Sequence, residues 1–480
     1  MSVVSILTHS FTDGYNREYG RVFGGGLERY ILDLCSVIRR LGHIPEVHQL
    51  SYFEAFQTRT EQIDVYGYDY DMENVPEAFE RMAAAARGPI IYASCLWQPI
   101  NYKPGSLGIC HGINWDRPGL PLDTKRQVAE HIQLALDGLV RIVSVDSHFQ
   151  TFCRAACMYS DPEQIVLIPN AVDTAYFTPA PPSRTLTQRH EEEWMEAWKR
   201  ETAVPAEHAH MMAPESGDDT SIHEDADHDS TDAYSSSSNE EKVRTKSLYA
   251  DPLGSPDTIS VEYGTTEALP HQRAQDQTED DKPLSPPRPV RILYPRRISS
   301  ERGIIPMMLA ADKLLGAFPD VEVEFAGELV EGSTVGRAFR YWQRTHPHTA
   351  RIRQHTYDFK DIRSAYHQAD IVVIPTLFSE GTSYACLEAM SCGLPVIASN
   401  VGGLNDLIQD GFNGLLIPPG EQALSAALVR LVQDRAERER LGIYARETAL
   451  SYDLSIWRSR WSRVLESFLA ETGLKEGIHT

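Results

Sequence analysis

The sequence predicts an α/β fold with two domains in which strands and helices alternate, joined by a linker of different composition. Short β-branched runs alternate with helical stretches over residues 1–178, and the same alternation returns over residues 289–452. A chain of 480 residues is also longer than one ordinary domain. Strand–helix–strand units of this kind form parallel sheets, so a parallel sheet is expected in each domain.

The predicted strands are short apolar runs bounded by turn residues. In the first domain they are Val3–Thr8, Ile44–Gln49, Pro89–Ala93, Leu107–Cys110, Arg141–Val145 and Ile165–Ile168. In the second they are Val290–Tyr294, Val321–Phe325, Ile371–Ile374, Pro395–Ala398 and Gly414–Ile417. Between the first two strands, apolar residues at helical spacing follow a glycine turn and stop at Gly42, which predicts a strand–turn–helix–strand unit.

The segment 179–288 is predicted to be a disordered insert. It contains "SSSS", acidic runs such as "HEDADHD", and few aliphatic residues. Residues 183–288 hold 24 Asp/Glu and 10 Lys/Arg, a net charge of −14 out of −23 for the chain. Such a composition buries too little apolar surface to offset the entropy of ordering. One short helix around Trp194–Trp198 is the expected exception. A tether, a phosphorylated segment and a neutral insertion all remain open, and a catalytic role is not favoured.

The composition also argues against some classes of binding partner. A net charge of −23 argues against nucleic acid or an anionic membrane as the main partner, because phosphate binding uses Lys and Arg. The seven cysteines follow no metal-binding spacing and are expected to be reduced and mostly buried. "MSVVSILTH" has the pattern of a first strand rather than a signal peptide. No apolar run is long enough to cross a membrane, so a cytoplasmic protein is expected, with peripheral membrane contact left open.

Two loops contain residues of the types that bind phosphate groups in proteins. Gly24–Gly26 opens a helix, where free backbone amides and the helix dipole attract anions. "RILYPRRISSERGI" places Arg296, Arg297 and Arg302 between a strand and a helix, and two guanidiniums there could neutralise a diphosphate without a metal. An ordinary tight turn and an ordinary basic surface loop are equally compatible with these two stretches.

A third stretch, "FSEGTSYACLEAM", places Glu380 in a loop and Glu388 in the helix that follows. Thr382 or Ser383 is expected to cap that helix, and the free amides of its first turn would face a ligand at the strand end. The alternative interpretation is that Glu380 only complements the helix dipole and Glu388 is a solvated helix residue.

The run "FSEGTSYACLEAMSCGLPVIASNVGGLNDLIQDGFNGLLIPPG" resembles the motif of the family-4, or group 1, retaining glycosyltransferases of GT-B fold. That family has two glutamates separated by seven residues, followed by "EAMACGxPVIAS", "GGxxE" and "NGxLxxPGD". The stretches "GGLERY", "RLGHIPEV", "CHGINWD", "IPNAVDTAYFTP" and "RRISSERG" match other family motifs in the same order. The resemblance covers nearly all of both domains and implies two Rossmann-like domains that face each other across a cleft.

The resemblance also implies roles for individual residues. Glu380 is expected at the donor sugar, Glu388 on the ribose hydroxyls, and His111 beside the reacting sugar. Arg297 and Arg302 match the basic pair that grips the diphosphate. The implied catalytic residues are therefore Glu380, His111, Arg297 and Arg302. The implied donor-binding residues are Gly25, Gly26, Arg297, Arg302, Glu380, Gly381, Thr382, Ser383 and Glu388.

Five residues depart from the family pattern. Arg296 replaces the usual glycine before the basic pair, Arg302 replaces the usual lysine, and Asp406 replaces the glutamate of "GGxxE". Thr382 and Ser383 replace the common Phe-Gly, so the donor sugar is expected to be chosen there. The last helix, 453–472, resembles the crossing that packs back on the first domain.

The implied activity is transfer of a sugar from a UDP- or GDP-type nucleotide sugar to the hydroxyl of a carbohydrate or other acceptor. Retention would arise by attack on the face from which the diphosphate leaves. No cofactor or metal is implied, and the "DYD" at Asp69–Asp71 is expected to be an acidic loop rather than a metal site. A nucleotide-sugar epimerase or other GT-B enzyme, and a non-catalytic scaffold that binds nucleotide or glycan, are the alternatives.

Overall fold

The structure is a computed structural model that describes residues 2–14, 17–71, 74–113, 119–181, 288–329, 332–359 and 361–472. The predicted insert lies almost wholly outside the described residues, as does the short helix predicted around Trp194–Trp198. Two separate sheets divide the described chain into an N-terminal lobe, residues 2–181, and a C-terminal lobe, residues 288–453. The predicted α/β class with parallel sheets in two domains is confirmed.

The N-terminal lobe is built on an eight-stranded sheet with the order β10-β9-β8-β7-β1-β4-β6-β5. Its strands, with the separate hairpin β2–β3, are β1 Val3–Thr8, β2 Thr12–Asp13, β3 Glu18–Val22, β4 Ile44–Ser51, β5 Phe56–Thr60, β6 Ile63–Asp69, β7 Ile90–Tyr92, β8 Ser106–Cys110, β9 Leu139–Ser144 and β10 Ile165–Leu167. Its helices are α1 Gly26–Arg40, α2 Val75–Ala85, α3 Leu122–Gly138 and α4 Ser147–Ala156.

All six strands predicted in this lobe are present, but β5 and β6 at one edge were missed. β5 pairs antiparallel with β6, unlike the remaining strands of the sheet, which pair in parallel. These edge strands carry alternating polar and apolar residues, because one face of each is half-exposed. The prediction of a loop at Asp69–Asp71 was wrong for Asp69, which is the last residue of β6.

The C-terminal lobe is built on a six-stranded parallel sheet with the order β13-β12-β11-β14-β15-β16. Its strands are β11 Val290–Tyr294, β12 Val321–Ala326, β13 Ile352–His355, β14 Ile371–Ile374, β15 Val396–Ser399 and β16 Leu415–Ile417. Its helices are α5 Ile304–Ala317, α6 Thr334–Thr345, α7 Arg363–Gln368, α8 Tyr384–Ser391, α9 Glu421–Gln433 and α10 Arg435–Leu450. Only β13 was not predicted, because its sequence "IRQH" holds one aliphatic residue.

A last helix, α11 (Leu454–Glu471), packs against the N-terminal lobe. Its buried side chains include Trp457, Trp461 and Leu465, which join the core cluster formed by β1, β4 and α1. Trp461 Nε1 donates a 2.9 Å hydrogen bond to the hydroxyl of Tyr30 on α1. The chain therefore crosses between the lobes twice, and the two crossings touch where Val172 pairs with Asp453.

The carboxyl ends of both sheets lie on the side where the two lobes meet, because the loops after β8 and β14 contact each other. The strand order reverses between β7 and β1 in the first sheet and between β11 and β14 in the second. Ligands of open α/β sheets bind at such reversals, outside the carboxyl ends of the strands. The loops after β8 and β14 carry His111 and Glu380 and pack against each other, while Arg297, in the loop after β11, lies beside the glycine turn of the N-terminal lobe.

Other predictions about the chain as a whole can be compared with the structure. The seven cysteines are free thiols, and five of them are buried. Within the described residues, the structure has no helix that combines the length and the apolar character needed to cross a membrane.

Candidate functional site

The glycine turn lies directly against the C-terminal lobe. Gly25 is the extended residue that precedes α1, with φ −132° and ψ 165°. A Cβ atom at Gly25 would lie 3.2 Å from Nη2 of Arg297, and one at Gly26 would lie 3.3 Å from the ring of Tyr384. The absence of side chains at these positions allows the other lobe to approach the start of α1, where backbone amides attract anions.

Arg297 points towards this turn. Its guanidinium carbon lies 4.7 Å from the centre of the Phe23 ring, in a cation–π contact. Its Nε is buried and has no hydrogen-bond partner among the described residues. A buried guanidinium nitrogen without a partner is costly, and an acceptor atom on a ligand would remove that cost.

Glu380 lies at the centre of a group of hydrogen-bond donors. Its Oε2 accepts bonds of 2.5 Å from Arg296, 2.5 Å from Arg302 and 2.8 Å from the hydroxyl of Thr376. Burial raises the pKa of Glu380, but the charges of Arg296 and Arg302 outweigh burial and hold the pKa below its ordinary value. The carboxylate is therefore ionised at neutral pH.

His111 follows β8 and faces the same cleft from the N-terminal lobe. Burial, with the nearby charge of His9, lowers its pKa to about 3, so the imidazole is neutral. Its ring packs edge-on against Tyr30 at 4.7 Å, and its buried Nε2 has no hydrogen-bond partner among the described residues. Nε2 can therefore exchange a hydrogen bond with a hydroxyl group in the cleft.

The backbone of Gly381 touches the N-terminal lobe. A Cβ at Gly381 would lie 2.8 Å from the carbonyl oxygen of His111 and 2.7 Å from a methyl group of Val145. Gly112, with φ +105°, would place its own Cβ 3.2 Å from the amide nitrogen of Gly381. Only glycine allows the two loops to approach this closely, so the turn after Glu380 fits against the loop of His111.

The hydroxyl groups of Thr382 and Ser383 are both engaged by the protein. Thr382 Oγ1 donates to the carbonyl of Val145 in the other lobe, and Asn170 donates to the Thr382 carbonyl. Ser383 caps α8, as predicted, by accepting a hydrogen bond from the Cys386 amide. Ser383 also accepts a 2.8 Å bond from Arg296. These residues therefore shape the turn, and a direct contact with a donor sugar would compete with these bonds.

We expect Thr382→Val to lower the free energy of unfolding by about 1 kcal/mol, because it removes a buried hydroxyl donor and leaves the Val145 carbonyl without that partner. Urea titration would measure the change. Thr151→Val is the matched control, because its hydroxyl makes the same type of bond, to the Ser147 carbonyl, in an exposed setting. An unchanged stability together with an altered donor preference would instead assign the Thr382 hydroxyl to ligand contact.

Glu388 is buried. The alternative interpretation, in which Glu388 is a solvated helix residue, is therefore wrong. Its Oε2 accepts a 2.9 Å bond from the hydroxyl of Tyr366, and its Oε1 forms an ion pair with Arg29 of α1. The Arg29 guanidinium lies 5.0 Å from the ring centre of Tyr384. The carboxylate thus faces the lobe interface, on the same helix that Ser383 caps.

Three contacts of the candidate site and the lobe interface were not predicted from the sequence: those of Arg29, Arg296 and Asp406. Asp406 accepts a 2.7 Å bond from the Ser147 amide, and the Ser147 hydroxyl also donates to it. An acidic side chain at the start of α4 is favourable for the helix dipole. The partners of these residues lie between 84 and 359 positions away in sequence, so no local pattern could identify them.

No group of three or more His, Cys, Asp or Glu side chains suited to a metal ion occurs in the part of the chain that the structure describes. Asp69, at the end of β6, is instead contacted by Arg81.

Comparison with known proteins finds a family match for the C-terminal lobe. Residues 275–448 match the model of the family described as glycosyl transferases group 1. The chain contains a group 1 glycosyltransferase domain. That domain includes Arg296, Arg297, Arg302, Glu380 and Glu388, and it is the part of the chain in which the sequence resemblance was most specific.

Curated relatives match over part of their length. The chain is 30% identical over 190 residues to a sulfoquinovosyl transferase of Arabidopsis thaliana, which is 39% of this chain and 33% of that protein. It is 29% identical over 206 residues to spore coat protein SA of Bacillus subtilis, which is 42% of this chain and 52% of that protein. The matched segments thus span about a third to a half of these relatives.

Solved structures match over nearly the whole chain. A sucrose-phosphate synthase from Thermosynechococcus elongatus aligns with a TM-score of 0.61 at 14% identity and covers 98% of this chain and 100% of that one. An Anabaena protein in complex with UDP and glucose aligns with a TM-score of 0.59 at 14% identity and covers 97% and 99%. The glycosyltransferase domain is therefore one half of a GT-B fold, as predicted.

Proposed function

We propose that the protein transfers a sugar from a UDP- or GDP-type nucleotide sugar to an acceptor hydroxyl, with retention at the anomeric carbon. The observation that carries the proposal is that loops from both sheets of a GT-B fold pack the turn after Glu380 against the His111 loop and place Arg297 beside the glycine turn. Two of these residues have buried nitrogen atoms without partners among the described residues, which supports a ligand between them.

The chemistry follows from where the charges lie. As the bond between sugar and diphosphate stretches, negative charge grows on the diphosphate and positive charge grows on the sugar ring. Arg297 and the amides at the Gly24–Gly26 turn would stabilise the diphosphate, with Arg302 beside them. The ionised Glu380 would lie at the sugar, and His111 Nε2 would bind a sugar hydroxyl.

Retention would arise if the acceptor attacks the face from which the diphosphate leaves. The acceptor proton would then pass to the departing phosphate oxygen, while the oxygen–carbon bond to the acceptor forms and the carbon–oxygen bond to the phosphate breaks. Guanidinium groups in place of a metal would balance the leaving charge. Gly381 packed on His111 would exclude water from the sugar and limit hydrolysis.

The ribose is proposed to bind at Glu388, where Arg29 and Tyr366 already hold the carboxylate in place. A ribose hydroxyl there would donate to an oxygen that the two side chains orient. The acceptor is proposed to be a carbohydrate or another hydroxyl-bearing molecule that enters from the N-terminal lobe.

A thermal-shift panel of UDP, GDP, ADP and their glucose conjugates tests the proposal. A ligand at 100 times its Kd should add about 2.7 kcal/mol of stability. UDP-glucose is the first donor to test, because the Anabaena protein of the same fold was solved with UDP and glucose. Arg297→Met should abolish the shift and Arg337→Met, on the exposed side of α6, should keep it. A flat response of the wild-type protein to all six compounds would overturn the proposal.

A further inference from the structure

We propose that Arg296 is a positioning residue that fixes one oxygen of Glu380 and thereby presents the other oxygen to the donor sugar. The inference rests on the proposed function, because it assigns how the carboxylate of that site is held. It concerns the arginine that stands where the resembling family has a glycine.

Both terminal nitrogens of the Arg296 guanidinium are hydrogen-bonded within the C-terminal lobe. Its Nη2 lies 2.5 Å from Glu380 Oε2, and its Nη1 lies 2.8 Å from Ser383 Oγ. The Arg296 and Glu380 side chains are only 8% and 9% exposed. Arg296 therefore ties the loop carboxylate to the residue that caps α8, across the turn that contains Gly381 and Thr382.

All hydrogen bonds to the Glu380 carboxylate within the described residues end on Oε2. The donors are Arg296, Arg302 and Thr376. Three donors on one oxygen fix the rotation of the carboxyl group and direct Oε1 away from them. An oriented carboxylate can meet the growing charge of a sugar ring without reorganising.

The neighbouring residues Arg296 and Arg297 have different surroundings, which indicates different roles. Both terminal nitrogens of Arg296 are bonded within the C-terminal lobe, to Glu380 and Ser383, and its side chain is only 8% exposed. Arg297 instead lies beside Gly25 and has a buried Nε without a partner among the described residues. Loss of Arg296 should therefore affect the reacting sugar and leave the grip on the diphosphate intact.

The charged and titratable groups around Glu380 determine how the activity should depend on pH. Arg296 and Arg302 face it from the loop after β11, Tyr294 faces it from the end of β11, and Cys386 faces it from α8. The carbonyl of His111 faces the turn from the N-terminal lobe. Burial raises the pKa of Glu380 and the two guanidiniums lower it. Removing Arg296 should thus raise this pKa, so that the acid limb of activity moves to higher pH.

The kinetic test compares Arg296→Met and Arg296→Lys, with Arg288→Met as a control because Arg288 pairs with Asp370 on the exposed edge of the lobe. Turnover of UDP-glucose is measured from pH 4 to 9. Arg296→Met should lower kcat by about tenfold or more with KM changed less than about threefold, since the lost contact acts on the reacting sugar. Its acid limb should move to higher pH, and Arg296→Lys should restore part of both effects. An Arg296→Met profile that matches the control overturns the inference.

A second measurement does not depend on activity. The melting temperatures of Arg296→Met, Glu380→Gln and the double variant form a cycle. The double variant should lose clearly less than the sum of the single losses, because each single change leaves a buried partner uncompensated. Additive losses overturn the positioning role alone. Failure of all six nucleotides to bind the wild-type protein overturns the proposed function and, with it, the assignment of Oε1 to the donor.

Discussion

Glu380→Gln is expected to lower the rate of sugar transfer by about 100- to 1,000-fold, the usual loss when one preorganised electrostatic group is removed from an active site. Glutamine keeps the size of the side chain and can still accept hydrogen bonds from Arg296 and Arg302. It lacks the negative charge that would stabilise the positive charge growing on the sugar ring. The loss should fall on kcat, because the charge develops only in the transition state.

The measurement is the initial rate of donor turnover, with UDP affinity determined by calorimetry on the same samples. Glu301→Gln is the matched control, because it removes the same charge from an exposed position next to Arg302. The control should change the rate by less than about threefold, as expected for a surface charge. A Glu380→Gln rate as close to wild type as the control would remove Glu380 from the reaction. Thermal unfolding of each variant separates loss of chemistry from loss of fold.

Glu46→Gln is expected to lower the free energy of unfolding at pH 7 by about 3 kcal/mol and to flatten its dependence on acid. Glu46 is buried between β1 and β6 of the N-terminal sheet. Its carboxylate accepts bonds of 2.6 Å from Ser5 and 2.7 Å from Arg87 Nε, and His48 Nε2 lies 3.1 Å away. Burial raises the pKa of Glu46, but these three partners together lower it to about 2.

The direction of the pH dependence of stability follows from the lowered pKa of Glu46. Because the folded-state pKa lies below the ordinary value, the stabilisation is complete above the unfolded pKa and is lost as the pH falls through the folded pKa of about 2. Wild-type stability should therefore decrease between about pH 4.5 and pH 2, and Glu46→Gln should remove most of that decrease. Urea titrations at several pH values measure it, with the exposed Glu54→Gln as control. Parallel curves for wild type and Glu46→Gln would contradict the prediction.

Most parallel strands of the two sheets were predictable because they appear as short apolar runs bounded by turn residues. The half-exposed edge strands β5 and β6, and the polar β13, have no such run. These strands are defined by their pairing with a neighbouring strand in the folded sheet, and a local sequence pattern does not show that pairing. For the same reason the loops that carry Arg297 and Glu380 were placed correctly, since they follow predicted strands.

The contacts within the site were less predictable. The sequence showed Arg296 only as a departure from a family glycine, and nothing local indicated that it would bond Glu380, 84 positions away. The same holds for Arg29 and Glu388, which are 359 positions apart. Thr382 was expected near the donor sugar because of its place in the motif, but its hydroxyl is bonded to a carbonyl that only the folded interface brings near.

The return of α11 to the N-terminal lobe has a consequence for the order in which the chain folds. Trp457, Trp461 and Phe468 belong to the core that β1 and α1 begin, yet the ribosome makes them after the whole C-terminal lobe. Until these residues emerge, the core around β1 and α1 lacks part of its cover and exposes apolar surface, which favours aggregation. The core of the first lobe is therefore complete only after the last helix has been made.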